Sequence, residues 1–337
     1  MELEQRMGRD NKLLRLLTNK AKQDPKRIVF AEGENFKVLK AAQTVLNEGI
    51  AQPILLGNKK EIKQIIHDNE LDIEDIPIID WRSEEEQKRR ENFANILFKK
   101  RNRKGLTCAE ALEHMTNRNY FGAMMVETGE ADALISGSTS KYADTIKPAI
   151  HTVGIKPKIN HIAGMYLLMT KQGPIFFSDT TVNPRPDAQT IVDTTLLTAE
   201  AVRKFNIEPV IALVSYSNFG SIRTGSPVRV QQAAAILHRD HPDLIVDGDI
   251  QMNFALNCEL RDQMFPFSKL GKRKVNTIIF PNLSSGNIAY KMMQELAQVE
   301  AIGPILLGMN KSIHVIALES SVREIVNMVT IAVVDAQ

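Results

Sequence analysis

The 337 residues carry 42 Lys and Arg against 40 Asp and Glu, a net charge of +2, so overall charge gives no reason to expect nucleic acid or a membrane as a partner. Apolar residues make up 43% of the chain, enough for a large core, and the length suits roughly two domains of about 150 residues. No apolar run reaches ~18 residues, so no membrane span is expected. The charged start Met1-Glu-Leu-Glu-Gln-Arg has no signal-peptide core. Two distant cysteines, Cys108 and Cys258, fit a reducing cytoplasm without disulfides.

Short apolar, β-branched runs alternate with helical patterns. Arg27-Ile-Val-Phe reads as a strand. Phe36 to Asn47 follows as a helix with Val38, Leu39, Ala42, Val45 and Leu46 on one face. Pro53 to Gly57, Pro77 to Asp80 and Ala131 to Ser136 continue the strands. Between them, Ser83 to Lys104 is a charged, solvated helix whose basic end, Arg101-Asn-Arg-Lys104, could reach an anion. Later strands are read at Ile162–Met169, Pro174–Asp179, Pro209–Ser215, Leu244–Asp247, Thr277–Phe280 and His314–Leu318. This alternation predicts α/β layers with mainly parallel sheets. The turn Lys171-Gln-Gly-Pro makes one antiparallel hairpin of the pair around it. Ser321-Val-Arg-Glu324 has the spacing of a capping box. The helix beyond it, Ile325 to Val334, is apolar nearly all round, so it must be buried in the fold or against a partner.

Three strand ends run into small polar loops. These are Ile135-Ser-Gly-Ser-Thr-Ser-Lys141, Val214 to Ser226, and Phe280-Pro-Asn-Leu-Ser-Ser-Gly-Asn287. Such loops permit tight turns and leave backbone N–H groups free at the next helix start, an arrangement suited to phosphate or another anion. In open α/β folds, ligands lie at the carboxyl ends of strands. No GxGxxG or GxxxxGK[ST] motif is present, which argues against dinucleotide and P-loop sites. The seven histidines lack metal-ligand spacing and read as structural or surface residues. Asp247-Gly-Asp249 reads as a strand-end turn with solvated acids, and no metal site is expected. With no nearby His, the two thiols read as buried or inert.

Six segments, in order, resemble phosphate acetyltransferases (phosphotransacetylases). They are Val29-Phe-Ala-Glu-Gly-Glu34, Asp144-Thr-Ile-Lys-Pro148, Phe177 to Asp187, Asp247-Gly-Asp-Ile-Gln251, Phe280 to Lys291 and Ala301 to Gly308. The segment Lys311 to Asn327 resembles the family's active-site stretch. Asn19 to Glu34 and Ser321 to Gln337 further resemble the phosphotransacetylase-like domain that follows the catalytic part of bacterial NADP-dependent malic enzymes. The charged lead-in before Lys20 then resembles the linker between the two.

The resemblance implies two α/β domains with CoA in a cleft between them, residues 1–158 plus 307–337 and an inserted 159–306, and a homo-oligomer, dimer or larger. It also implies an N-terminal malic enzyme domain that would hold NADP and a divalent metal outside this chain. By the same resemblance Arg101 and Lys147 occupy two of the family's anion-holding Arg positions. Lys147 keeps the charge but loses the bidentate fork. Ala317 and Leu318 stand where the family has its catalytic Ser and Arg, and Glu324 stands at its proposed general base. Neither a methyl nor an isobutyl group donates a hydrogen bond, so no catalytic set is expected intact. Glu324 is equally accounted for by capping. Ligand contacts are expected from Arg101, Ser136, Gly137, Ser138, Thr139, Lys147, Ser217, Arg223, Gly225, Ser226 and Asn287. The main reading is a regulatory domain that binds acetyl-CoA as an allosteric inhibitor. Its rivals are an active phosphate acetyltransferase and a purely structural dimerisation module.

Overall fold

The structure, a computed structural model, describes residues 12–337 apart from 74, 140, 141 and 158 and the side chain of Ala143. The sequence readings at Met1–Arg6, Ser140 and Lys141 lie outside the described residues. In chain order come helix α1 (Lys12–Gln23), strand β1 (Lys26–Phe30), α2 (Phe36–Asn47), β2 (Ala51–Leu56), α3 (Lys59–Asp68), β3 (Ile78–Ile79), α4 (Gln87–Arg101), α5 (Cys108–His114), α6 (Arg118–Glu127), β4 (Ala133–Ser136) and α7 (Tyr142–Thr152). Then follow β5 (Ala163–Thr170), β6 (Gly173–Ser178), α8 (Ala188–Lys204), β7 (Ile211–Val214), α9 (Ser226–Asp240), β8 (Val246–Ile250), α10 (Met252–Leu256), α11 (Cys258–Met264), β9 (Thr277–Ile279) and α12 (Leu283–Ala297). The chain closes with β10 (Glu300–Leu307), β11 (Ser312–Val315) and α13 (Val322–Ala336).

These elements fall into two compact units. One is Leu14–Lys156 with Met309–Gln337; the other is Pro157–Gly308, grouped with Lys12 and Leu13. The first holds an all-parallel sheet in the order β11-β4-β1-β2-β3. Helix α2 starts cleanly because the Asn35 side chain accepts from the backbone N–H groups of Lys37 and Val38. Its buried face holds Val38, Leu39, Ala41, Ala42 and Val45, while Leu46, expected there, is exposed. The second unit holds a mixed sheet in the order β10-β5-β6-β9-β7-β8. The β5–β6 hairpin is antiparallel, as its turn signal predicts, and so is β10–β5. The period-2 alternation of β7 sends Ala212 and Val214 into one apolar cluster and Ile211 and Leu213 into another, so both faces of this sheet are covered.

Several expectations need correcting. Strand β11 ends at Val315, so Ala317 and Leu318 lie beyond it. Strand β10 was not read from the sequence, because Gly303 and Pro304 interrupt its pattern. It tolerates them at the edge of its sheet, where no outer partner needs the missing N–H and the register shifts between Ile302 and Ile305. Residues 12–23 form a helix burying Leu13, Leu14, Leu17 and Ala21, where a linker was expected. Asp247 and Asp249 are buried, not solvated: Asp247 accepts from Ser268 Oγ and the Lys269 N–H, and Asp249 Oδ1 accepts from the Gly220 N–H, while Asp249 Oδ2 has no partner among the described residues. Of the two thiols read as buried or inert, neither is fully buried: Cys108 is exposed on the first turn of α5 and Cys258 is partly buried.

Helix α13 is buried, as its all-round apolarity requires, but inside its own unit. Ile325, Met328, Val329, Ile331, Ala332, Val333 and Val334 are each at most 3% exposed and pack on α2, β11, β4 and β1. Of the two alternatives read from the sequence, burial within the fold accounts for these residues, while Val326 and Asn327 are only partly buried and Arg323 is exposed. In the other unit, α12 instead exposes Ile288, Met292 and Leu296, four residues apart on one face.

Candidate functional site

The parallel strands β1, β4 and β11 end on the same edge of their sheet, and the residues just beyond them meet there. Glu32, two residues past β1, is 2% exposed. Its carboxylate accepts from the Gly137 N–H at 3.0 Å and from the Ser136 hydroxyl at 3.1 Å, and Arg118 stands 3.5 Å away. The Ser136 hydroxyl also reaches Asn119 Oδ1 at 2.7 Å. Arg118 donates to the Thr139 hydroxyl as well. The 136–139 loop is thus fastened from below by a buried carboxylate and from the side by α6. Ser138 Oγ is buried with no partner among the described residues.

Residues 316–318 lie against this loop. The Ile316 N–H donates to the Ser136 carbonyl at 2.8 Å. Ala317 begins a turn closed by the Ser320 N–H onto the Ala317 carbonyl at 3.1 Å, and Lys37 Nζ donates to the Ser320 carbonyl at 3.3 Å. Ala317 and Leu318 are both exposed, Leu318 by 59%. Glu324 closes the capping box read from the sequence: Ser321 N–H donates to its carboxylate at 2.7 Å, and its own N–H donates to Ser321 Oγ at 3.3 Å. This edge therefore presents one methyl and one isobutyl group to solvent, beside a carboxylate already engaged in capping.

A second feature lies in the same unit. Arg101 ends α4, Lys104 ends the 3₁₀ turn Asn102–Lys104, and α7 carries Lys147 and His151 four residues apart. His114, at the end of α5, stacks on Tyr120 with ring centroids 4.2 Å apart. The Tyr120 hydroxyl lies 2.8 Å from His151 Nδ1. Burial, then the charges of Arg101, Lys147, His114 and Lys104, push His151 down to about 4. Burial and then Lys147 lower His114, with Arg101 adding to this and Glu113 and Glu110 opposing it. Burial raises the Tyr120 phenol against the pull of Arg101. Both histidines therefore register the charge of Arg101 and Lys147. Among the described residues, the side chains of Arg101, Lys104 and Lys147 make no ion pair or hydrogen bond.

The remaining expected contacts lie in the other unit. Ser217 is fully buried and engaged locally, bonding Ser221 Oγ at 3.0 Å and accepting from the Ile222 N–H. Asp249 holds that loop by accepting from the Gly220 N–H at 3.0 Å. Arg223 is exposed, and Gly225 precedes α9, which has no side-chain cap, so the Ser226 end keeps unsatisfied N–H groups. The loop before α12 differs from expectation: Asn282 caps that helix by accepting from the Ser285 N–H. Asn287 donates to the Thr180 carbonyl at 3.3 Å.

Sequence reasoning missed Glu32, Arg118, Tyr120, His114 and His151. Only the four-residue spacing of Lys147 and His151 was a usable signal. The others meet across long stretches of chain.

The carboxyl edge of the parallel sheet, where ligands lie in open α/β folds, carries the fastened small-residue loop. The chain matches the family model described as phosphate acetyl/butaryl transferase over residues 12–333, and it belongs to that family. It is 33% identical over 324 residues to phosphate acetyltransferase of Clostridium acetobutylicum, covering 94% of this chain and 96% of that protein. It is 34% identical to NADP-dependent malic enzyme of Escherichia coli, covering 97% of this chain but 43% of that protein. Against that relative the chain spans less than half the length. A phosphotransacetylase structure from Streptococcus pyogenes superposes with a TM-score of 0.89 at 33% identity, covering 97% of this chain and 98% of the other.

Proposed function

We propose that the chain is a regulatory phosphotransacetylase-like domain of an NADP-dependent malic enzyme, which binds acetyl-CoA as an allosteric inhibitor, takes part in oligomerisation and has lost acetyl transfer. The observation that carries this reading is the exposed pair Ala317–Leu318 at the position where the family resemblance expects Ser and Arg. Losing one oxyanion-type donor typically costs ~10²–10³ in rate, and here a hydroxyl and a charged donor are both missing. Engagement of Glu324 in the capping box supports a structural role for the third carried-over position. Arg101, Lys104 and Lys147 supply positive charge that no side chain among the described residues pairs with, as phosphates of a CoA-type ligand require. Allostery here means that the ligand changes the equilibrium between two states of the attached catalytic domain by a coupling free energy.

Coverage of 96% of the Clostridium acetobutylicum transferase favours a second reading, an active phosphate acetyltransferase whose catalytic groups lie elsewhere than 317 and 318. Calorimetric titration with acetyl-CoA, followed by a turnover assay on the same sample, separates the two. Binding without acetyl-phosphate formation supports the regulatory reading, and turnover near that of a family enzyme overturns it. In the same titration Lys147→Glu should weaken binding at least tenfold, and an unchanged Kd would remove Lys147 from the ligand's surroundings.

A further inference from the structure

Parallel strands β4 and β11 pair in the register Ser136↔Val315, and the Ile316 N–H carries the ladder one step further onto the Ser136 carbonyl at 2.8 Å. Gly137 follows in close contact with the Ile316 backbone. The next residues on the two chains are Ser138 and Ala317. The same register therefore brings them side by side, at about the 5 Å spacing of neighbouring strands. The hydroxyl that residue 317 lacks is present on its neighbour. Ser138 Oγ is buried and meets no hydrogen-bond partner among the described residues. The polar groups on either side of it are all engaged. The Gly137 N–H donates to Glu32, the Ser136 hydroxyl reaches Glu32 and Asn119, and the Thr139 hydroxyl accepts from Arg118. A buried hydroxyl without a partner is unfavourable. Rotation about χ1 carries Oγ to another staggered position, and it breaks no bond, because the inward position offers none.

The surroundings decide what such a hydroxyl can meet. Ala317 and Leu318 are exposed and present a methyl and an isobutyl group. The cations nearby are already taken: Arg118 stands 3.5 Å from the Glu32 carboxylate, and Lys37 Nζ donates to the Ser320 carbonyl. The place thus offers one neutral donor beside apolar surface, next to a buried carboxylate. An anion is disfavoured there, whereas an uncharged acceptor carrying a small apolar group fits. We propose that Ser138 is the residue by which this domain distinguishes acetyl-CoA from free CoA. Its hydroxyl, turned outward, donates to the thioester carbonyl oxygen, while Ala317 and Leu318 cover the acetyl methyl. Glu32 acts through the loop as a positioning residue, since its carboxylate fixes the Gly137 N–H and the Ser136 hydroxyl just before the donor. The inference rests on the reading of the domain as a binder of acetyl-CoA.

The test is calorimetric titration of the whole chain, unsubstituted and as Ser138→Ala, with CoA, acetyl-CoA and S-ethyl-CoA. The last is a thioether in which two hydrogens replace the carbonyl oxygen. The unsubstituted chain should bind acetyl-CoA about three- to tenfold more tightly than S-ethyl-CoA, the effect of one hydrogen bond. Ser138→Ala should remove that difference and leave the Kd for CoA unchanged, which also shows that the variant is folded. Acetyl-CoA labelled with carbon-13 at the carbonyl reads the same contact in the unsubstituted protein by NMR: its resonance should move downfield on binding. A preference for acetyl-CoA over the thioether that survives in Ser138→Ala overturns this inference alone. So does binding of acetyl-CoA by the unsubstituted chain with no such preference and an unmoved carbonyl resonance. Equal weakening of all three ligands in Ser138→Ala overturns it too, because the hydroxyl would then serve a part they share. Failure of the unsubstituted chain to bind either CoA or acetyl-CoA overturns the underlying reading as well.

Discussion

Gly137 and Ile316 approach so closely that a Cβ on Gly137 would stand 2.2 Å from the Ile316 carbonyl oxygen. The backbone at Gly137 has a φ of +125°, which side-chain-bearing residues rarely adopt. Both facts demand glycine. They also fix the distance between the Glu32-held loop and the Ala317–Leu318 turn. Gly137→Ala should destabilise this unit by about 2 kcal/mol or more. The check is chemical denaturation monitored for this unit; a change under ~0.5 kcal/mol would show that the two segments can part freely.

Acetyl-phosphate formation from acetyl-CoA and phosphate should be at least ~10³-fold slower than for an ordinary family enzyme, since two donors are absent. The double substitution Ala317→Ser with Leu318→Arg should recover only a small part of this. Lys147 still lacks an arginine's fork, and catalytic positions act as a unit. A coupled thiol-release assay measures both numbers, and full recovery would show that residues 317 and 318 alone account for the loss.

Glu324 has two possible roles that respond differently to substitution. Glutamine at the third helical position preserves a capping box, whereas alanine does not. Glu324→Gln should therefore leave stability within ~0.5 kcal/mol, while Glu324→Ala costs about 1 kcal/mol. Denaturation midpoints decide this. Should Glu324→Gln leave the fold intact yet abolish ligand binding, the carboxylate has a role beyond the cap.

Apo stability should fall as pH drops from ~6.5 to ~4 through His151. The folded ring titrates at about 4, below its unfolded value of ~6.5, so within that window the unfolded chain binds more protons. The contribution is complete above pH ~6.5, diminishes through the window and does not change further below ~4. Solvent screening of a half-exposed ring limits it to about 1–2 kcal/mol. The difference between wild type and His151→Gln in pH-dependent denaturation isolates this from the carboxylates, and parallel curves would contradict it.

Because α13 is enclosed by its own unit, Met328→Asp should unfold that unit and not merely separate subunits. A charge forced to a site 1% exposed has no partner to meet it. Circular dichroism and sedimentation on one sample distinguish the cases. A folded Met328→Asp monomer near 37.8 kDa, from a dimeric wild type, would return α13 to the interface.

Local patterns made much of the fold legible. The helix Phe36–Asn47, the β5–β6 hairpin and the Ser321–Glu324 cap each depend on neighbours in sequence. Strand β10 escaped because Gly303 and Pro304 argue against a strand, and only an edge position tolerates them. The apolar circumference of α13 established that it is covered but not by what. The candidate site was legible where resemblance supplied residues, at 101, 147 and 317–318. Glu32 meets Gly137 across 105 positions, and Tyr120 meets His151 across 31. No periodicity encodes such meetings, and an isolated histidine or glutamate looks the same in sequence whether it is solvated or enclosed.

The side chain of Gln337 donates to the backbone carbonyls of Lys20 and Asp24 at 3.1 and 3.0 Å. The last residue is thereby tied to the end of the first described helix, and Lys12 lies about 12 Å further along that helix. A glycine-serine bridge of moderate length should span this distance. New ends could then be opened at the exposed Lys171–Gln172 turn, giving a circular permutant with the same sheets and a rewired order of synthesis.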